Sequence, residues 1–152
     1  MAEFVIRRVL RQDFDQWLEL WDGYNAFYGR EGETALRPEV TRATWSRLLD
    51  PAEPMHALVA LTDRRIVGLA HYLFHRSTIS IAPTCYLQDL FTLPEFRGHG
   101  VGAALVRRVF EEARTGASER VYWQTHESNA CARRLYDQFA EESGFIVYRK
   151  FL

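Results

Sequence analysis

Apolar residues recur along this chain in two rhythms, one of period two and one near 3.6, and the switches between them mark alternating strands and helices. Phe4 to Val9 reads as a strand. From Asp13 to Tyr28, Phe14, Trp17, Leu18, Trp21 and Tyr24 fall at i, i+3 and i+4 spacings, which predicts a helix with one buried stripe. Gly29-Arg30-Glu31-Gly32-Glu33 is a polar loop, and Pro38 to Leu49 predicts a shorter helix with proline in its first turn. Ala57 to Leu61 and Ile66 to Phe74 flank a polar turn and predict a hairpin, and Tyr86 to Thr92 is a further strand. After a glycine-rich stretch, Leu105, Val106, Val109, Phe110 and Ala113 mark one face of a helix. Its opposite face carries Arg107, Arg108, Glu111 and Glu112 as a solvated surface, and Gly116 suits its end. Val121 to Thr125 predicts a strand, Ala130 to Glu141 a helix, and Phe145 to Lys150 a last strand. With no linker or repeat in view, residues 1–152 read as one mixed α/β domain with a strand–helix–strand–helix–strand second half.

The glycine-rich stretch, Arg97-Gly98-His99-Gly100-Val101-Gly102-Ala103, joins the Tyr86–Thr92 strand to a helix. Glycines at alternate positions leave the backbone without Cβ atoms, so several N–H groups can turn toward one point. A helix start beside them adds unpaired N–H groups and the positive end of the helix dipole. This is a seat for a phosphate or pyrophosphate, with Arg97 as a charged clamp. An ATP-type P-loop requires Lys-Ser or Lys-Thr after its last glycine, where Ala103 and Ala104 stand. The dinucleotide fingerprint is matched in letters by Gly98, Gly100 and Ala103. Leu93-Pro94-Glu95-Phe96 separates it from its strand, however, and Val121 to Thr125 ends without the acidic residue that fingerprint needs. A third pattern, Arg/Gln-x-x-Gly-x-Gly/Ala, is satisfied by Arg97, Gly100 and Gly102. At these residues the chain resembles the GCN5-related N-acetyltransferase (GNAT) family, which binds the pyrophosphate of acetyl-CoA on such a loop.

A second segment is independent of the first. Asn129 precedes a helix and can cap its first turn. Arg133 and Tyr136 follow on the same helical stripe, beside an apolar stripe of Ala132, Leu135 and Phe139. Ser128-Asn129-x-x-Ala132-x-x-x-Tyr136 resembles the family's Asn…Ala…Tyr segment, and the order of elements is similar across nearly the whole chain.

The resemblance implies a single-domain α/β fold with a mixed central sheet flanked by helices, acetyl-CoA as acetyl donor, no metal, and direct transfer to a primary amine in a ternary complex. It implies that backbone around Gly98, His99, Gly100, Val101, Gly102 and Ala103 seats the pyrophosphate. The strand edge Leu90, Phe91 and Thr92 would pair with the pantetheine arm, with Asn129 and Arg133 on the cofactor-facing helix. Tyr136 is then the candidate acid for the departing thiolate, because a phenol keeps its proton at neutral pH. The acceptor ammonium, with an ordinary pKa of about 10.4, must also lose a proton. Tyr86-Leu87-Gln88-Asp89-Leu90 resembles the Tyr-Leu-Glu-Asp run of polyamine-type members, with Gln88 where those carry a glutamate proposed as base. An amide can position a water or an amine but cannot accept the proton. Asp89 and Glu127 are the other candidates for the base. Strict strand alternation points Asp89 to the face opposite Gln88, unless the bulge usual in the family re-aims one of them.

For the acceptor, Trp21, Tyr24, Phe27 and Tyr28 suggest an aromatic wall, with Gln88 beside it. Glu31 and Glu33 nearby suit an amine with an aliphatic or cationic tail. Trp17 reads as core packing. The run Val121 to Asn129 also resembles the branch with histone- and polyamine-acetylating enzymes, and favours a small primary amine, polyamine or amino acid over histones. His71 and His75, roughly 13 Å apart on a strand, cannot share an ion. A net charge of −1 gives no case for nucleic acid or an anionic membrane, and no apolar run approaches the roughly 20 residues of a membrane span. Cys85 and Cys131 make no disulfide framework and the N-terminus lacks a signal-peptide pattern, so a reduced, cytoplasmic protein is the expectation. The apolar last strand needs a neighbour, and with the many aromatics this favours a homodimer. The rival in another class is a catalytically silent acyl-CoA-binding module, with a Rossmann-like nucleotide binder behind it.

Overall fold

A computed structural model describes residues 3–152. Five strands form one sheet whose spatial order follows the chain: β1 (Val5–Arg8), β2 (Met55–Thr62), β3 (Arg65–His75), β4 (Thr84–Thr92) and β5 (Val121–Tyr122). β1 to β4 run antiparallel in succession, and β5 joins β4 in parallel, so the sheet is mixed. Four α-helices accompany it: α1 (Phe14–Phe27), α2 (Pro38–Leu49), α3 (Val101–Thr115) and α4 (Ala130–Tyr136).

The two faces of the sheet carry separate cores. On one, Trp17, Leu20 and Trp21 of α1 and Leu48 of α2 pack with Val59, Leu69 and Phe91. On the other, Val101, Leu105, Val106 and Val109 of α3 pack with Leu58, Val67, Ala70 and Leu87. A side chain so buried contributes about 1.5–3 kcal/mol relative to exposure. The start of α1 is anchored by Asp13, which accepts two hydrogen bonds from Arg7 at 2.6 and 3.0 Å and one from the Leu10 N–H at 2.7 Å. The Arg7 guanidinium holds that carboxyl below its usual range. On α3 the charged face is not wholly solvated. Glu112 accepts from Arg8 of β1 at 2.6 Å and from Arg108 at 3.0 Å, tying the helix to the sheet edge.

Three expectations are corrected. The strand predicted over Val121 to Thr125 pairs only at Val121 and Tyr122, because β4 and β5 diverge beyond Tyr86. The helix predicted over Ala130 to Glu141 ends at Tyr136 and closes in turns through Ala140. Phe145 to Lys150 forms no strand: it lies against no sheet edge, so its backbone has nothing to pair with, and Phe145 and Tyr148 are 89% and 88% exposed.

Candidate active site

The parting of β4 from β5 creates the site. Past Tyr86, the β5-facing edge of β4 has no strand beside it, while its other edge stays paired to β3 as far as Thr92. A cleft of about 390 Å³ opens there. β4 contributes Leu90, Phe91 and Thr92, and the turn before α3 contributes Gly98, Gly100, Val101, Gly102 and Ala103. α4 contributes Leu135 and Tyr136, with Asn129 at its start, and the end of α1 contributes Tyr24 and Phe27, followed by Tyr28. Elements far apart in sequence thus converge on one groove.

At its floor, α3 opens without a side-chain cap. Its first helical hydrogen bond runs from the Ala104 N–H to the Gly100 carbonyl, so the N–H groups of Val101, Gly102 and Ala103 precede the ladder. Gly98 and Gly100 have φ of +75° and +86°, in the left-handed region, and nothing lies within 4 Å of where a Cβ would stand. Gly102 is small for another reason: a Cβ there would meet Leu135 Cδ2 of α4 at 3.2 Å. Arg97 sits over the Phe91 ring at 5.5 Å and donates from Nε to the Thr92 carbonyl at 3.1 Å. Uncapped helix donors, an open turn and a guanidinium fit a pyrophosphate-bearing ligand. The His99 side chain turns back on the loop, with Nδ1 2.8 Å from the Arg97 carbonyl oxygen, and does not line the cleft. Gly100→Val should raise the acetyl-CoA dissociation constant by about tenfold or more, since a left-handed β-branched residue costs roughly 1–2 kcal/mol and disturbs the turn. Calorimetric titration of a folded variant checks this, and an unchanged constant takes the turn out of the site.

On the opposite wall, Asn129 caps α4, its Oδ1 accepting the Ala132 N–H at 3.2 Å. Tyr136 packs on Trp123 with ring centres 5.4 Å apart. Burial, then the Tyr28 hydroxyl across the cleft, push its hydroxyl up to about 12. Arg133 leaves the cleft: it donates to the Glu127 carbonyl at 3.0 Å and pairs with Glu142. The groove-facing residues beyond the sequence reading are Cys131 and Arg134 of α4 and Gln138 in the turn after it. A change of one position in the helical phase separates Arg133 from Arg134, finer than a sequence stripe resolves.

The middle of β4 carries the bulge. His71 stands opposite Asp89 and Tyr72 opposite Leu87, which leaves Gln88 as the extra residue. Before it, Cys85 and Leu87 face the α3 core; after it, Phe91 faces the α1 core. Asp89, buried at 8% exposure, therefore turns toward α1, while Gln88 is exposed. Asp89 Oδ2 is 2.9 Å from His71 Nδ1, and the Trp17 indole N–H donates to His71 Nε2 at 3.0 Å. Burial and the adjacent Asp89 carboxylate raise the pKa of the Tyr24 hydroxyl far above the ordinary phenol value. The Trp21 indole ring packs on His71, centres 5.1 Å apart, and its N–H is buried with no hydrogen-bond partner among the described residues. His71 escapes sequence reading because its partners lie 18 and 54 residues away.

Of the other sequence candidates, Glu31, Glu33 and Glu127 are exposed and Gln88, like Trp21, is outside the cleft lining. Tyr24, Phe27 and Tyr28 do form a wall, and Arg30 covers it, its guanidinium 5.9 Å from the Tyr24 ring centre and 5.5 Å from that of Tyr28.

Comparison with known proteins gives the family and the fold. The model of the acetyltransferase (GNAT) family matches residues 15–140. A D-amino-acid N-acetyltransferase, HPA3, of Saccharomyces cerevisiae is 28% identical over 148 residues, 96% of this chain and 89% of the relative. A thialysine N-epsilon-acetyltransferase of Mus musculus is 27% identical over 89 residues, 55% of this chain and 52% of that one. Among solved structures, AAC(6')-Iy in complex with a bisubstrate analog, CoA-S-monomethyl-acetylneamine, superposes with a TM-score of 0.81 at 19% identity, covering 99% of this chain and 100% of that one. The last is a likeness of fold.

Proposed function

Given that the chain belongs to the acetyltransferase (GNAT) family and is an acetyl-CoA-dependent N-acetyltransferase, we propose that it acetylates a small primary amine or amino acid by direct attack in a ternary complex. The observation that carries this reading is the continuity of one groove from the uncapped start of α3, along the unpaired edge of β4, to Tyr136 and the α1 wall. Acetyl-CoA, when bound, supplies the activated acetyl group. The N–H groups of Val101, Gly102 and Ala103 seat its pyrophosphate, and the edge at Leu90 to Thr92 holds its arm as an added strand. Asp89 takes the acceptor's proton, and the Tyr136 hydroxyl gives one to the departing sulfur. Much of the rate comes from alignment of the two substrates between α1 and α4. Arg30 over the tyrosine wall suits an acceptor with a carboxylate, and the name of the yeast relative points the same way.

Release of CoA thiol from acetyl-CoA, followed across a panel of amino acids of both hands, polyamines and small amines, tests this reading. Amine-dependent release with saturation kinetics is expected. Tight acetyl-CoA binding with no release for any amine would favour a silent acyl-CoA-binding module. A larger rise in melting temperature with NAD than with acetyl-CoA would overturn the cofactor assignment.

We further propose a homodimer. The exposed segment with Phe145, Ile146, Val147, Tyr148 and Phe151 is a row of large apolar side chains that a lone subunit leaves in water. A second subunit can cover it. Light scattering should give twice the subunit mass at micromolar concentration, and a monomer there counts against this assembly.

A further inference from the structure

Trp17, His71 and Asp89 come from α1, β3 and β4 and meet inside the α1-side core, away from the α3 donors. An indole N–H can only donate, so the 3.0 Å contact from Trp17 makes His71 Nε2 an acceptor. The ring proton is then on Nδ1, and it is donated to Asp89 Oδ2 at 2.9 Å. Without that donor Asp89 would be a buried carboxylate lacking this hydrogen bond, an expensive arrangement that the protein would relieve by turning it away. Tyr24, whose ring lines the cleft beside Tyr28, packs on Phe91, two residues beyond Asp89 on the same face of β4. The hydrogen-bonded order is Asp89, His71, Trp17. The bulge at Gln88 makes it possible, since strict alternation would send Asp89 into the α3 core.

We propose that Asp89 is the base for the acceptor amine and that His71 is its positioning residue, with a tautomer that Trp17 sets. This rests on the acetyltransferase reading of the cleft. As the bound ammonium loses a proton, its N–H bond breaks, the electron pair stays on nitrogen and the proton goes to an Asp89 oxygen. The result is a neutral amine and a protonated Asp89. After product leaves, the proton returns to water in the open groove. Asp89 does the work that Gln88, an exposed amide, cannot do.

A double-mutant cycle on the full chain tests it, with a turned-over amine and acetyl-CoA affinity measured alongside. Asp89→Asn should lower kcat by about 10²-fold or more. His71→Leu should lower it by about tenfold or more through loss of orientation, with acetyl-CoA affinity within about twofold. His71→Asn, which keeps an N–H donor near the Nδ1 position, should recover most of that loss. The pair His71→Leu/Asp89→Asn should be no slower than Asp89→Asn alone, because His71 acts only through Asp89. Multiplying losses, or equal impairment by Leu and Asn, would make His71 a packing residue and overturn the proposal. Nitrogen NMR of the wild-type imidazole at neutral pH gives a readout that no unfolded variant can spoil. The Nδ1–H tautomer is expected for His71, and the Nε2–H tautomer or the imidazolium overturns the proposal. Should the wild-type protein release no thiol with any amine, the acetyl-transfer reading fails by itself, and the NMR result still decides the hydrogen-bond chain.

Discussion

Tyr136→Phe is expected to lower kcat by about 10²-fold, within the range for one positioned acid, while acetyl-CoA affinity stays nearly unchanged. The ring stays packed on Trp123 and in the cleft wall, so only the hydroxyl is lost. Burial and the neighbouring Tyr28 push that hydroxyl up to about 12, so it keeps its proton through neutral pH and is available to the leaving sulfur. A merely packing role predicts near-normal turnover. Steady-state kinetics with a good acceptor separates the two readings, provided chemistry limits the rate. Normal kcat under those conditions removes Tyr136 from the acid role and leaves solvent as the proton source.

The second large effect concerns stability. Gly68 on β3 lies under the first turn of α3, and a Cβ there would stand 2.6 Å from Val101 Cγ1 and 3.0 Å from Leu105 Cδ1. Val101 cannot swing aside: it is 1% exposed, and a β-branched side chain in a helix has essentially one rotamer. Gly68→Ala must therefore lift α3 off the sheet, at an overpacking cost of about 1–3 kcal/mol. The displaced turn carries the N–H groups assigned to the pyrophosphate, so acetyl-CoA should also bind more weakly. Denaturant unfolding and calorimetric titration together check this, and an unaltered midpoint with unaltered affinity refutes the close packing.

Which parts of this protein could be read without coordinates follows from the range of the forces involved. α2 has the predicted bounds, Pro38 to Leu49, because amphipathic spacing and a first-turn proline act within a few residues. The glycine turn is equally local, as it announces a left-handed backbone and an open helix start by residue type. Where one residue of phase mattered, local reading faltered. Arg133 bonds away from the groove while Arg134 lines it.

The order of strands and helices as far as α4 and the open glycine turn are thus written in the chain itself, as periodicity and steric permission. Tertiary structure alone decided the rest. A single bulge, set by the pairing of β3 with β4, turned Asp89 from one core to the other and gave it His71 as a partner, itself held by Trp17. The divergence of β4 and β5 opened the groove and shortened the strand predicted through Thr125. The segment Phe145 to Lys150 has strand-like composition but forms no strand, because a strand exists only where another edge accepts its hydrogen bonds. Register and edge availability belong to pairs of distant segments, and no local window of sequence contains both members.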